Sequence, residues 1–144
     1  MMLILGVGNT LLSDDGAGCY IAEAIADIHP AYNGGTAPEN FTAPIRRAAP
    51  SLLVIVDAAA MGLPAGSIRI IPPEKIDDTS IGTHMLPLSH LIAYLSPDIP
   101  EILFIGIEPE TIQPGVGLSP AVQEAADRLL DLLQMGEIRS LEGL

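Results

Sequence analysis

Residues 51–59 read SLLVIVDAA, five branched apolar residues in a row that stop at an acid, Asp57. A strand with one face in water alternates apolar and polar side chains. This run does not alternate, so it must be covered on both faces, which points to a parallel-type sheet carrying helices on each side. The apolar run at 2–8, ending in Gly6 and Gly8, and EILFIGIEP at 101–109, ending toward Glu108, have the same character. Between them, GAGCYIAEAIADI spaces Cys19, Ala22, Ile25 and Ala26 at helical intervals, with Glu23 and Asp27 turned away. PLSHLIAYLS (87–96) predicts a helix with proline in its first turn. A last helix is marked by Ser119 as N-cap, Pro120 at its first position, and a stripe of Val122, Ala125, Ala126, Leu129, Leu130 and Leu133.

Weaker signals fill the gaps. AYNGGTAPEN (31–40) allows only a short second strand, TAPIRRAAP (42–50) a brief helix, and SIRIIP (67–72) an alternating edge strand. EKIDDTSIGTH (74–84) reads as loop and 135–144 as a loose tail. The expected fold class is α/β: a three-layer α/β/α sandwich around a mixed, mostly parallel sheet of about five strands, with a hairpin-like excursion at 57–72 supplying the antiparallel member. At 144 residues the chain fits one domain, expected over 1–134 and followed by the tail at 135–144.

Eighteen acids against six bases give a formal charge of −12, and only five rings are present, which argues against nucleic-acid binding. Cationic partners suit such a chain better than anionic membranes. The single Cys19 cannot form an intrachain disulfide and is expected as a small buried hydrophobe. MMLILGVGN is too short an apolar stretch for a signal peptide or a span, so a cytoplasmic protein without membrane insertion is expected.

The loop GVGNTLLSDDGAG (6–18) poses the functional question. A dinucleotide loop needs G-x-G-x-x-G, but Leu11 stands at the third position, and no G-K-[ST] occurs anywhere. Two adjacent acids, Asp14 and Asp15, would also repel a phosphate. Ligands of open α/β sheets bind beyond the carboxyl ends of the strands, and three strands here run toward acids: Asp14 and Asp15, Asp57, and Glu108. His84, in GTHMLPL, precedes the fourth helix. Two carboxylates and an imidazole at one edge would make an O,O,N site for a divalent transition metal with open positions. Blander roles compete: Asp14 or Asp15 as a partner of the first helix N-terminus, Asp57 as a turn cap, His84 as a solvated loop residue. His90, among apolar neighbours, suits a structural role. Spacing does not choose between Asp14 and Asp15.

GVGNTLLSDDGAG, GGTAPEN, LLVIVDAAAMG and GTHMLPL, in this order, resemble the hydrogenase maturation endopeptidases, over about residues 2–133. GGTAPEN with THMLPL looks most like the branch serving hydrogenases of the formate-hydrogenlyase type. The resemblance implies a three-layer α/β/α fold and an enzyme that trims the C-terminal tail from the large-subunit precursor of a nickel-iron hydrogenase. It implies that Asp15, Asp57 and His84 act as metal ligands and catalytic groups, and it is what selects Asp15 over Asp14. The nickel would belong to the substrate, with no organic cofactor. It would act by polarising the scissile carbonyl or by activating a bound water with a carboxylate as base. Neither H-E-x-x-H nor G-x-S-x-G is present, and Cys19 lies inside a predicted helix, which disfavours other proteolytic chemistries. Two aspartates sharing a proton, a non-catalytic nickel-binding assembly module and a nucleotide module are the alternatives.

Overall fold

The structure, a computed structural model, describes residues 1–81 and 86–144. Its sheet has five strands in the order β2-β1-β3-β5-β4, where β1 is Met2–Val7, β2 Ala31–Gly35, β3 Leu52–Ala58, β4 Ile68–Ile71 and β5 Glu101–Ile107. The first three pairings along that order are parallel and only β4 runs antiparallel to its neighbour. The chain leaves β1 for β2 on one side and then crosses back to β3 on the other. The crevice beyond the carboxyl ends of β1 and β3 is therefore the topological switch point of the sheet.

The unbroken apolar runs are explained by the two cores. Consecutive strand residues face opposite ways. Ile4, Val54, Val56 and Ile105 join one cluster with helices α1 (Ala17–Ile25) and α5 (Pro120–Met135), while Leu3, Leu5, Leu53 and Ile55 join another. That second face is covered by α2 (Thr42–Ala48), α3 (Ile76–Thr79) and α4 (Leu88–Leu95), through Ile45, Ile76 and Leu91. Burying each such side chain is worth about 1.5–3 kcal/mol, and both faces of the central strands contribute.

The helix α1 sits unusually low on the sheet. A Cβ added to Gly18 would lie 2.2 Å from the Val56 carbonyl oxygen and 2.5 Å from that of Val7, and one added to Gly6 would lie 2.1 Å from the Gly18 oxygen. Helix and strands touch backbone to backbone, and this contact sets the height of the loop that precedes α1.

Three expectations are corrected. The excursion after β3 is not a hairpin with it, because β5 inserts between them: β4 pairs with β5, Ile70 opposite Ile105. Residues 73–79 are not loop but a 3-10 turn, Pro73–Lys75, running into α3, because Ile76 is buried as an anchor and the Thr79 hydroxyl donates back to the carbonyls of Lys75 and Ile76. The final residues are not loose. Ile138 is buried, the Ile70 N–H donates to the Glu142 carbonyl (2.8 Å), and the Leu144 N–H donates to the Ile70 carbonyl (2.9 Å). The tail thereby shields part of the open edge of β4. No helix among the described residues is long and apolar enough to cross a membrane.

Candidate active site

Beyond β1 the chain folds back on itself at Gly8, whose φ of +144° lies where side chains are rarely tolerated. A Cβ there would meet the Asp15 carbonyl oxygen at 1.8 Å and Asp57 Oδ1 at 3.4 Å. Glycine is thus required by its φ and by the Asp15 backbone that lies against it, with the Asp57 carboxylate in contact beside them. Asp15 arrives on a 3-10 turn, Ser13–Gly16, and its Oδ2 accepts the Asn9 N–H at 3.0 Å. Asp57 ends β3, its Oδ1 accepting the Ala58 N–H at 2.8 Å. Asp15 is 5% exposed and Asp57 2%, so both carboxylates lie under the surface at the β1/β3 switch point.

Cys19, one turn into α1, lies beside them with its thiol 3.6 Å from the Gly8 carbonyl oxygen. Burial, joined by the negative charges of Asp57 and Asp15 and resisted by the Gly35 N–H, pushes the thiol up to about 11. At neutral pH it remains protonated, as the expected buried hydrophobe rather than a nucleophile.

Asp14 has a different task from the one expected. It does not serve the first helix. Its carboxylate accepts N–H groups from Glu110 (2.9 Å), Thr111 (3.1 Å) and Ser119 (2.7 Å), and also the Ser119 hydroxyl (2.9 Å). Ser119 precedes α5 but makes no side-chain cap of its own, because its hydroxyl is turned to Asp14. Asp14 thereby ties the site loop to the β5–α5 connection. A second tie comes from Ser13, held at φ +51°, whose N–H donates to the Gly115 carbonyl and whose hydroxyl donates to the Gln113 carbonyl. The sequence carries one hint of this knot, the glycines at 115 and 117, which mark a turn but not its partner.

Burial alone would raise the Asp14 carboxyl, but the three N–H donors and the Ser119 hydroxyl outweigh it and hold the group below its ordinary value. Asp14→Asn is expected to cost about 2 kcal/mol at pH 7, read from urea unfolding. A carboxyl lowered by folding contributes fully above its unfolded value of 3.8 and loses that contribution as pH falls through the folded value. The difference between the two proteins should therefore close at pH well below 3.8. A difference unchanged at pH 2.5 would contradict the role of the charge.

Glu108, the other strand-end acid, accepts the N–H groups of Met61 (2.7 Å) and Leu63 (3.1 Å) and so pins the turn after β3. His90 is exposed on α4 rather than packed among apolar neighbours. His84 lies outside the described residues. Among the described residues no three His, Cys, Asp or Glu side chains form a group able to hold a metal. Asp15 and Asp57 bring oxygen donors to one crevice, and a complete transition-metal site there needs a further ligand.

A family model described as hydrogenase maturation protease matches residues 21–135, well over half of the chain. The chain belongs to the hydrogenase maturation protease family. It is accordingly a peptidase, a hydrolase of hydrogenase maturation, and not a non-catalytic assembly module. The hydrogenase 3 maturation protease of Escherichia coli K12 is 38% identical over 137 residues, covering 92% of this chain and 88% of that protein. The solution structure of the endopeptidase HycI from Escherichia coli superposes with a TM-score of 0.91 at 36% identity, covering 100% of this chain and 96% of that one. A NiFe hydrogenase maturation protease HycI from Thermococcus kodakarensis superposes at 0.82 with 29% identity, over 94% of this chain and 91% of that one. The protease shares with them its α/β fold, a five-strand, mostly parallel sheet between two helical layers.

Proposed function

We propose that this protease removes the C-terminal extension from the nickel-loaded large-subunit precursor of a nickel-iron hydrogenase, in the cytoplasm, and that Asp15, Asp57 and His84 engage the substrate's nickel. The observation that carries this is that two buried acids converge on Gly8 at the switch point of the sheet, Asp15 through its backbone carbonyl and Asp57 through its carboxylate. Likeness to a protease named for NiFe hydrogenase supports the substrate class. Two buried carboxylates supply hard oxygen donors, and an imidazole would complete an open O,O,N set that grips an ion already held by the precursor. Such an ion would polarise the scissile carbonyl or make a bound water more acidic, and the second oxygen of Asp15 or Asp57 would take the proton of the attacking water. Hydrolysis then leaves a new carboxylate on the precursor and an amine on the released tail.

The test is to incubate the protease with matched precursor, nickel-loaded and nickel-free, and to follow the tail by mass spectrometry. Only the loaded form should be cut. Equal cutting of both forms would remove nickel from the recognition, and cutting of neither would remove the precursor as substrate.

A further inference from the structure

A cleft of about 220 Å³ opens between the turn that carries Asp15, the start of α1 and the β5–α5 connection. Gly16, Cys19 and Tyr20 line it from α1 and the turn before it, and Val116, Gly117 and Leu118 from the β5–α5 connection. Gly16 follows Asp15 directly, and the Cys19 thiol lies 3.6 Å from the carbonyl oxygen of Gly8, the residue that Asp57 Oδ1 packs against, so the cleft and the acidic crevice share a wall. Its volume falls below the roughly 300–1,000 Å³ of small-molecule sites, which suits one side chain better than a cofactor.

Two apolar side chains are exposed here, Val116 of the cleft lining at 85% and Leu11, next in the chain to the lining residue Thr10, at 65%. They are not accidents of a loose loop. The Gly115 N–H donates to the Leu11 carbonyl (2.9 Å), and Gly117, at φ +101°, turns the chain sharply after Val116. The base of the loop is fastened by Asp14 to Ser119 and by Ser13 to Gln113. A held apolar tip beside a reactive crevice is a contact surface awaiting a partner.

We propose that this cleft is a specificity subsite that receives an uncharged, apolar side chain of the hydrogenase precursor, close to the bond that is cut. The inference rests on the function proposed above. An extended peptide advances ~3.3–3.6 Å per residue, so a chain whose scissile bond lies at Asp15 and Asp57 passes the cleft within a residue or two. Charge narrows the occupant further. Glu23 is the one charged residue lining the cleft among the described residues, so an acidic side chain is repelled, while Cys19, Tyr20, Val116 and Leu118 offer an apolar one its contacts.

The test has two arms. First, isotope-labelled protein is titrated with a synthetic peptide spanning the processing site, and the amides of Gly16, Gly117 and Leu118 should shift. This arm does not depend on cleavage. Shifts confined elsewhere, for instance to the cleft formed by Arg69 and Arg128, would overturn the proposal. Second, Val116→Asp, whose exposure leaves the fold intact, should raise KM for the loaded precursor by about tenfold with kcat within about twofold. An acidic residue placed beside the scissile bond of the precursor should have a similar effect on the wild-type enzyme. Unchanged KM in the variant sinks the subsite while leaving the protease function standing. Shifted cleft amides without cleavage of any precursor would leave the docking standing and sink the function.

Discussion

Asp57→Asn should abolish cleavage of a nickel-loaded precursor while leaving the protein folded. The carboxamide keeps an oxygen for the Ala58 N–H, now accepted at 2.8 Å, so the end of β3 retains its local turn. What disappears is the negative charge in a crevice where the residue is 2% exposed. A carboxylate that ligates a substrate metal or takes a proton is worth roughly 10²–10⁴ in rate, and loss of a ligand adds to that. The measurement is single-turnover release of the tail by mass spectrometry beside a thermal melt. A rate within tenfold of wild type would mean that Asp57 is not part of the reacting site. Glu108→Gln is the useful contrast, since that carboxylate is taken up by the N–H groups of Met61 and Leu63 and its loss should register in stability first.

Gly18→Ala is expected to cost the fold heavily. Helix propensity alone favours alanine by about 1 kcal/mol. Against that, the new methyl would stand 2.2 Å from the Val56 oxygen and 2.5 Å from the Val7 oxygen, and both obstacles are backbone of central strands that cannot turn aside. The clash wins, because α1 must lift from the sheet and loosen the packing of Ile21 and Ile25, both fully buried. A net loss of about 3 kcal/mol follows. For a chain of this size that is a fall in Tm of roughly 6–12 °C. Lifting α1 also carries Asp15 away from Asp57, so activity should drop further than stability explains. An unchanged or raised Tm would show that helix and strands are not in backbone contact at this point.

Much of the architecture was legible because hydrophobic periodicity is local. The apolar runs at 2–8, 51–59 and 101–109 correspond to β1, β3 and β5, and the stripe from Val122 to Leu133 to α5. Ile76 escaped notice because one buried side chain amid Lys75, Asp77 and Asp78 leaves no periodic signal. The tail was misread for a related reason. It docks chiefly through backbone hydrogen bonds, to Ile70, which composition does not reveal. At the site, the broken glycine motif argued against a dinucleotide loop, and the strand-end acids pointed to the carboxyl edge of the sheet, where Asp15 and Asp57 lie buried. The tight helix–strand approach that the missing third glycine would have served is supplied instead by Gly18, outside the motif's spacing.

By itself, then, the sequence determined the class of fold and the edge of the sheet where its strand-end acids gather. Burial on both faces demands unbroken apolar strands, and those strands emerge at acids. Only the tertiary structure decided which partners each of two adjacent aspartates meets. Asp14 and Asp15 have nearly identical neighbours in the chain, yet Asp14 is claimed by Ser119, 105 residues further on, while Asp15 lays its backbone carbonyl against Gly8 and accepts the Asn9 N–H. A carboxylate's role is set by the donors and charges it meets in space, and those meetings exist only after β3, β5 and α5 have taken their places around β1.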